Sequence, residues 1–192
     1  MIPYIHAPKI PTEIAIQPAP FSAIWGQNKL CEYAIKKDPD YLMLLDSDIS
    51  PVPGCLEKMI ADDKDIITAP IWFFDINHFD IHLNVSLNGS LAVDDRLRTR
   101  RQGLERIESA SFGALLIKQA VLRKFRDAKE SLIDWSPLID PFYQDTFGDS
   151  IFFAKAKALG FEAYVDWDIK DIIHSRIVEL CDETINNIRS HQ

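Results

Sequence analysis

Helix-like and strand-like patterns of apolar positions succeed one another along this chain. Ser22 to Lys37 places Ile24, Leu30, Ala34 and Ile35 at helical spacing and predicts a helix. Asp38-Pro39-Asp40 reads as a turn. Tyr41-Leu42-Met43-Leu44-Leu45 is then an unbroken apolar run that stops abruptly at Asp46, and it predicts a strand buried on both faces, as in a parallel sheet. Pro51 and Pro53 break the chain before a helix that runs to about Ala61. Asp65 to Phe74 contains a second buried strand, Ile66 to Ile71. His82 to Val93 carries Asn88-Gly89-Ser90 between two alternating runs, which signals a hairpin. Asp94 to Arg106 is charged and predicts a loop. Ile107 to Lys118 predicts a strand containing Gly113, and Gln119 to Arg126 a short helix. Asp127 to Gln144 is irregular and rich in aromatics. Asp149 to Leu159 predicts a helix ended by Gly160 at a natural cap position. Glu13 to Gln17, Phe161 to Val165 and Ile169 to Ile173 read as short strands, and Val178 onward as a terminal helix. Strands alternating with helices imply an α/β sandwich with a mostly parallel central sheet, to which the hairpin adds an antiparallel piece.

Composition narrows the class. The 192 residues suit a single domain, and 47% apolar with 26% charged residues is the balance of a globular core and surface. No apolar run approaches the ~20 residues of a membrane helix, and the N-terminus lacks the basic and apolar regions of a signal peptide. Cys31, Cys55 and Cys181 form neither a zinc pattern nor a disulfide framework, so the expected compartment is the cytoplasm. A net charge of −8 argues against bulk nucleic-acid binding and suits carboxylates gathered around a cation.

The candidate chemistry lies where apolar runs end. In open α/β sheets, ligands bind beyond the carboxyl ends of strands. Asp46 and Asp48, separated by Ser47, directly follow the apolar run at 41–45. Two such carboxylates repel unless a cation or protons intervene, and Mg²⁺ or Mn²⁺ accepts their oxygens while keeping positions open for phosphate. They read equally as solvated aspartates capping the next helix. Asp149 opens a helix, where the positive end of the dipole favours a carboxylate. His174 ends the apolar run Ile172-Ile173.

These three sites, in this order, resemble nucleotide-diphospho-sugar transferases of the glycosyltransferase A-type fold, near the family-2 group, over about residues 22 to 175. Tyr41 to Asp48 resembles the strand ending in Asp-x-Asp, and Ser109 to Ile117 the strand with a Gly-rich turn beside the sugar pocket. Gly148-Asp149 resembles the acidic motif before the helix under the acceptor, with Phe152, Lys155, Ala156 and Gly160 in register. The resemblance implies a Rossmann-like domain over 1–192, with an abbreviated N-terminal segment at 1–20 and a C-terminal helix at 176–192. It implies a metal-dependent transferase that moves a sugar from a UDP- or GDP-linked donor to a saccharide or glycoconjugate. Asn28, Asp46, Ser47, Asp48, Phe112 and Gly113 would bind the nucleotide-sugar. Asp46, Asp48 and His174 would hold Mn²⁺ or Mg²⁺, and Asp149 would be the catalytic base, with Asp145 as alternate. Gly148 stands where the family usually has an acid, and Gln27-Asn28 where it often has Arg-Asn.

A second resemblance is to haloacid-dehalogenase-like phosphatases, with Asp46 as nucleophile, Asp48 as acid/base, Ser50 in the place of the usual Thr, and Gly148-Asp149-Ser150 as the last motif. Phe153 stands where that motif wants another acid. A third reading is an inactive nucleotide-sugar-binding relative. Arg96, Arg98, Arg100, Arg101 and Arg106 could grip a pyrophosphate or form a solvated loop. Trp72, Phe73 and Phe74 could stack on a base or pack in the core, and Trp135, Phe142 and Tyr143 could line an acceptor pocket. Asn84-Val85-Ser86 matches a glycosylation sequon.

Overall fold

Tyr41–Leu45 forms strand β1, as its apolar run predicts. Its neighbour is not parallel. In the computed structural model, which describes residues 9–17, 23–75, 80–87, 90–91, 101–128, 147–170 and 172–174, β1 pairs antiparallel with β10 (Ala114–Lys118), Leu45 opposite Ala114 and Tyr41 opposite Lys118. On its other side β10 pairs antiparallel with β3 (Ile66–Thr68). β3 pairs parallel with β11 (Ala163–Asp166), which pairs antiparallel with β8 (Leu104–Ile107). The sheet order is therefore β1-β10-β3-β11-β8, with one parallel pair among four. The expectation of a mostly parallel sheet is corrected to a mixed one. An apolar run reports that both faces of a strand are covered, and it is silent on the direction of the neighbour.

Helices do cover both faces. On one, Leu44, Ile66, Leu115, Ile117 and Val165 pack against Cys31 and Ala34 of α1 (Ala23–Lys37), Val121, Leu122 and Phe125 of α3 (Gln119–Asp127), and Phe152, Phe153 and Ala156 of α4 (Phe147–Ala158). On the other, Ile67, Ala114 and Leu116 pack against Cys55 and Met59 of α2 (Cys55–Ala61) and against Ile169 and Ile172. Successive residues of each strand enter opposite clusters, as the pleat requires. Phe152 anchors α4: its ring lies 5.3 Å from Phe112 edge-on and 5.5 Å from Phe125 in a stack. Helix α4 ends as predicted. Gly160 takes φ +92°, its N–H reaches Lys157 O at 3.0 Å, and the Phe161 N–H reaches Ala156 O at 3.0 Å.

Among the described residues, three small sheets accompany the main one. β4 (Trp72–Asp75) pairs with β5 (Asp80–Leu83), and β2 (Ile49–Ser50) pairs with β12 (Ile173–His174). β6 (Val85–Leu87) pairs with both β7 (Ser90–Leu91) and β9 (Ser109–Ala110). Leu87 faces Ser90 across Asn88-Gly89, so the hairpin signal holds.

Other expectations are revised. The run Ile66 to Ile71 leaves the sheet after Thr68, because Pro70 has no N–H for a central ladder. The run Ile107 to Lys118 divides among the last residue of β8, β9 and β10, with the Phe112–Gly113 turn between the last two. Leu104 to Arg106, read as loop, is strand; its charges are those of an outer strand. Glu13 to Gln17 forms no strand. It lies beside α1, with Glu13 bonded to Tyr33 and Ile14 and Ile16 more than 60% exposed. Of Ile169 to Ile173, only the last enters a ladder among the described residues. The stretch 129–146 and the expected terminal helix lie outside the described residues. No helix among the described residues is long and apolar enough to cross a membrane.

Helix α2 is fastened to β11 by charge. Asp166 is fully buried, and Lys58 Nζ sits 2.6 Å from its Oδ2 and 3.7 Å from Asp62 Oδ1. Burial, and then the neighbouring Asp166, push the Asp62 carboxyl above the usual carboxylate range. A carboxyl raised by folding contributes stability that is complete below its unfolded value of ~3.9 and is lost as pH rises through the folded one. Asp62→Asn removes that loss. Its melting temperature should exceed the parent's by about 2–4 °C at pH 7, roughly 1 kcal/mol, with the gap closing toward pH 4 in paired calorimetric scans. A gap independent of pH would rule out a raised Asp62 carboxyl as its cause.

Candidate functional site

The carboxyl ends of β1, β3 and β11 share one edge of the sheet, the edge at which β10 begins: Leu45 faces Ala114, while Leu115 and Val165 both face Thr68. At this edge β1 gives way to Asp46, and a turn closes with the Ile49 N–H on Asp46 O at 3.1 Å. Ser47 is exposed at the tip, Asp46 is exposed and Asp48 half-buried. The Asp46 N–H donates to Gly113 O at 3.1 Å, which ties the acidic turn to the turn that opens β10.

Gly113 is favoured there by space. A Cβ at this position would lie 3.0 Å from Ile71 Cδ1 and 3.5 Å from Ile49 Cγ1. The next residue of the acidic turn, Ile49, begins β2, and its partner in β12 is His174, with Ser50 opposite Ile173. The chain therefore returns His174 to within one residue of Asp48 in backbone register. Three features nominated separately by the sequence, the acidic turn, Gly113 and His174, are contiguous.

Asp149 reaches the same edge by another route. Helix α4 precedes β11, whose first residue faces Ile66 at the opposite edge of the sheet, so α4 runs from the carboxyl edge toward that one. Phe152 and Phe153, one turn after Asp149, touch Phe112, the neighbour of Gly113. Asp149 is half-buried in the first helical turn, beside backbone N–H groups that have no acceptor within the helix.

Other nominated residues fall elsewhere. The Phe112 ring is 2% exposed and belongs to the aromatic cluster under α4, so its role is to seat the Gly113 turn. Asn28 is half-buried on α1, on the helical layer beside β1. Trp72 packs against the core. Arg101 bonds Glu105 and stacks 5.3 Å from the Trp167 ring, and Arg106 pairs with Glu162 at 3.0 Å. Arg96, Arg98, Arg100, Trp135, Phe142, Tyr143 and Asp145 lie outside the described residues. Among the described residues, no group of three or more His, Cys, Asp or Glu side chains is gathered closely enough to hold a metal. A cleft of about 650 Å³ beside α4, lined by Ser150, Phe153, Lys157, Glu105 and Arg106, is lined by neither Asp46 nor Asp48.

One residue of the site was marked in the sequence for another reason. Asn84, the head of the sequon, is 4% exposed, and its side chain is spent on Ile71 and Ala69. The signal for such a role was a single amide within the apolar run Leu83-Asn84-Val85.

The juxtaposition of β2 and β12 can be checked covalently. Opposed residues of an antiparallel pair have Cα atoms ~4.5–5.5 Å apart, within the ~4.4–6.8 Å that a disulfide spans. Ser50→Cys/Ile173→Cys spares Asp48 and His174. It should oxidise to an internal crosslink detectable by mass after non-reducing digestion. Cys31 and Cys55 should not compete, because burial pushes each thiol up to about 12. A folded double variant that stays reduced would remove His174 from this site.

No family model matches the chain, and no curated protein matches it. Among solved structures, the crystal structure of A197 from STIV is similar to it at 14% identity and a TM-score of 0.46, over 84% of this chain and 82% of that one. A likeness of that degree bears on neither chemistry nor partners.

Proposed function

We propose that the chain is a divalent-metal-dependent glycosyltransferase, acting in the cytoplasm on a UDP- or GDP-linked sugar and a saccharide or glycoconjugate acceptor. The observation that carries the reading is the pairing of His174 with Ile49 directly after the Asp46-Ser47-Asp48 turn, at the edge where β1, β3 and β11 end. Two carboxylates and an imidazole are a donor set suited to Mn²⁺, and to Mg²⁺ when phosphate oxygens complete the shell. Asp46, Asp48 and His174 would hold the ion, and a bound cation there supplies neutralisation of the departing diphosphate. Asp46 and Ser47 are exposed, so a nucleotide would reach them directly from solvent.

Asp149 supplies the second function. Held at a helix N-terminus near the same edge, its carboxylate takes the proton from the acceptor hydroxyl as that oxygen attacks the sugar. Because Gly148 provides no acidic neighbour, the nearest like charge that could raise the basicity of Asp149 is missing from its own turn.

Two experiments divide the reading. Calorimetric titration with UDP and with GDP should show binding that Mn²⁺ strengthens, and Asp48→Ala should lower that affinity by at least about tenfold, ~1.4 kcal/mol. Equal affinity with and without Mn²⁺ would end the proposal, and a beryllofluoride adduct on Asp46 would favour the phosphatase. Asp149→Asn keeps shape and removes basicity. Sugar transfer should fall by ~10²-fold or more, the scale of general-base catalysis, while donor affinity is retained. Undiminished transfer would take Asp149 out of the mechanism.

A further inference from the structure

We propose that Asn84 is a positioning residue for the Asp46–Asp48 turn, acting through Ile71 and the Phe112–Gly113 turn without touching a ligand. What the turn binds rests on the function proposed above; the clamp itself does not.

Asn84 spends every polar group it has. Its Oδ1 accepts from the Ile71 N–H at 2.8 Å, and its Nδ2 donates to Ala69 O at 3.2 Å. Its own N–H donates to Ile71 O at 3.0 Å, and its carbonyl accepts from the Ser111 N–H at 2.8 Å. Thr68, beside the amide, donates its hydroxyl to Ala114 O at 2.9 Å. One residue thus joins two segments: Thr68–Ile71 as it leaves the sheet, and Ser111–Ala114 as it enters. The chemistry calls for a primary amide. Pro70 interrupts the donors of the departing segment, and an isolated acceptor or donor buried here would carry a desolvation cost of ~1–3 kcal/mol. Leucine could satisfy neither partner. Aspartate would set an oxygen against Ala69 O.

The clamp connects to the acidic turn in two ways. Ser111, held by the Asn84 carbonyl, leads through Phe112 to Gly113, whose carbonyl receives the Asp46 N–H. Ile71, held by the amide, places its Cδ1 where a Cβ on Gly113 would meet it at 3.0 Å, tighter than an ordinary contact, and the same Cβ would meet Ile49 Cγ1 at an ordinary 3.5 Å. Gly113 thus has beside it both a residue fixed by Asn84 and the first residue of β2. Interiors packed this tightly pass a displacement on and do not absorb it. A shift of Ile71 therefore moves Gly113, and with it the two ends of the acidic turn, Asp46 and Ile49. The same commitments mean that Asn84 Nδ2 is not a carbohydrate acceptor in the folded chain.

The test uses ¹⁵N-labelled full chain, reading amide exchange at Asp46 and Ile49 by NMR beside titration with Mn²⁺ plus UDP. The Leu116 amide, in the middle of β10, reports global opening. In Asn84→Ala, Asp46 and Ile49 should exchange about tenfold faster relative to Leu116, the factor for one net hydrogen bond. Affinity for Mn²⁺ with UDP should fall by a similar factor at a temperature where the variant is folded. If Asn84→Ala does not fold, Gly113→Ala strains the same contact from the other side. It should show the same pair of changes, and Ile71→Val, by removing Cδ1, should relieve them in the double variant. Exchange at Asp46 that merely tracks Leu116 in these variants would overturn the proposal, as would accelerated exchange with unchanged affinity. A parent chain that does not bind Mn²⁺ with UDP would overturn the function proposed above, and the exchange measurements alone would then decide the clamp.

Discussion

Strand β10 is hydrogen-bonded along both sides, to β1 and to β3, and the geometry of the upper sheet edge follows from where that strand begins. Each rung contributes only ~0.5–1.5 kcal/mol net, but the ladders act together and leave the start of β10 no freedom of register. Ala114 must face Leu45, so Gly113 must lie beside Asp46. A one-residue slip would turn Leu115 and Ile117 out of one core cluster and Ala114 and Leu116 out of the other. The hydrophobic pattern of β10 is therefore what sets the position of the acidic turn, although no residue of β10 carries chemistry.

Charge is distributed with the same economy. The outer strand β8 carries Glu105 and Arg106, which find Arg101 and Glu162 and leave the strand a poor template for further pairing. The buried Asp166 has Lys58 at 2.6 Å. At the carboxyl edge stand an exposed Asp46 and a half-buried Asp48, two carboxylates two residues apart in a turn whose backbone is bonded at both ends.

Much of this was legible in the residues. The run 41–45, the helices ending at Lys37, Ala61 and Gly160, and the Asn88-Gly89 hairpin all carried periods or turn chemistry with one reading. Strand direction was not legible, since covered faces look alike in parallel and antiparallel pairs. Nor was β8, whose charges imitate a loop because an outer strand tolerates them. At the site, Asp46, Asp48, Gly113 and His174 could be picked out because each stands where an apolar run ends or bends. Phe112, expected to bind the nucleotide-sugar, is buried in the core instead, because an aromatic beside a glycine turn reads the same whether it faces a ligand or packs behind the turn. Asn84 was noticed for its sequon and missed as a clamp, because its partners at Ala69, Ile71 and Ser111 are brought to it only by tertiary structure.

Among the described residues, the ladder that brings His174 beside the acidic turn has two residue pairs, against five between β1 and β10. Joints held by so few hydrogen bonds open locally at free energies below that of global unfolding. The two halves of the candidate site thus belong to cooperative units of unequal stability. A ligand that touches both would close the weaker unit onto the stronger and add its binding free energy to the protection of β12. A ligand that touches only the acidic turn would leave β12 as it was.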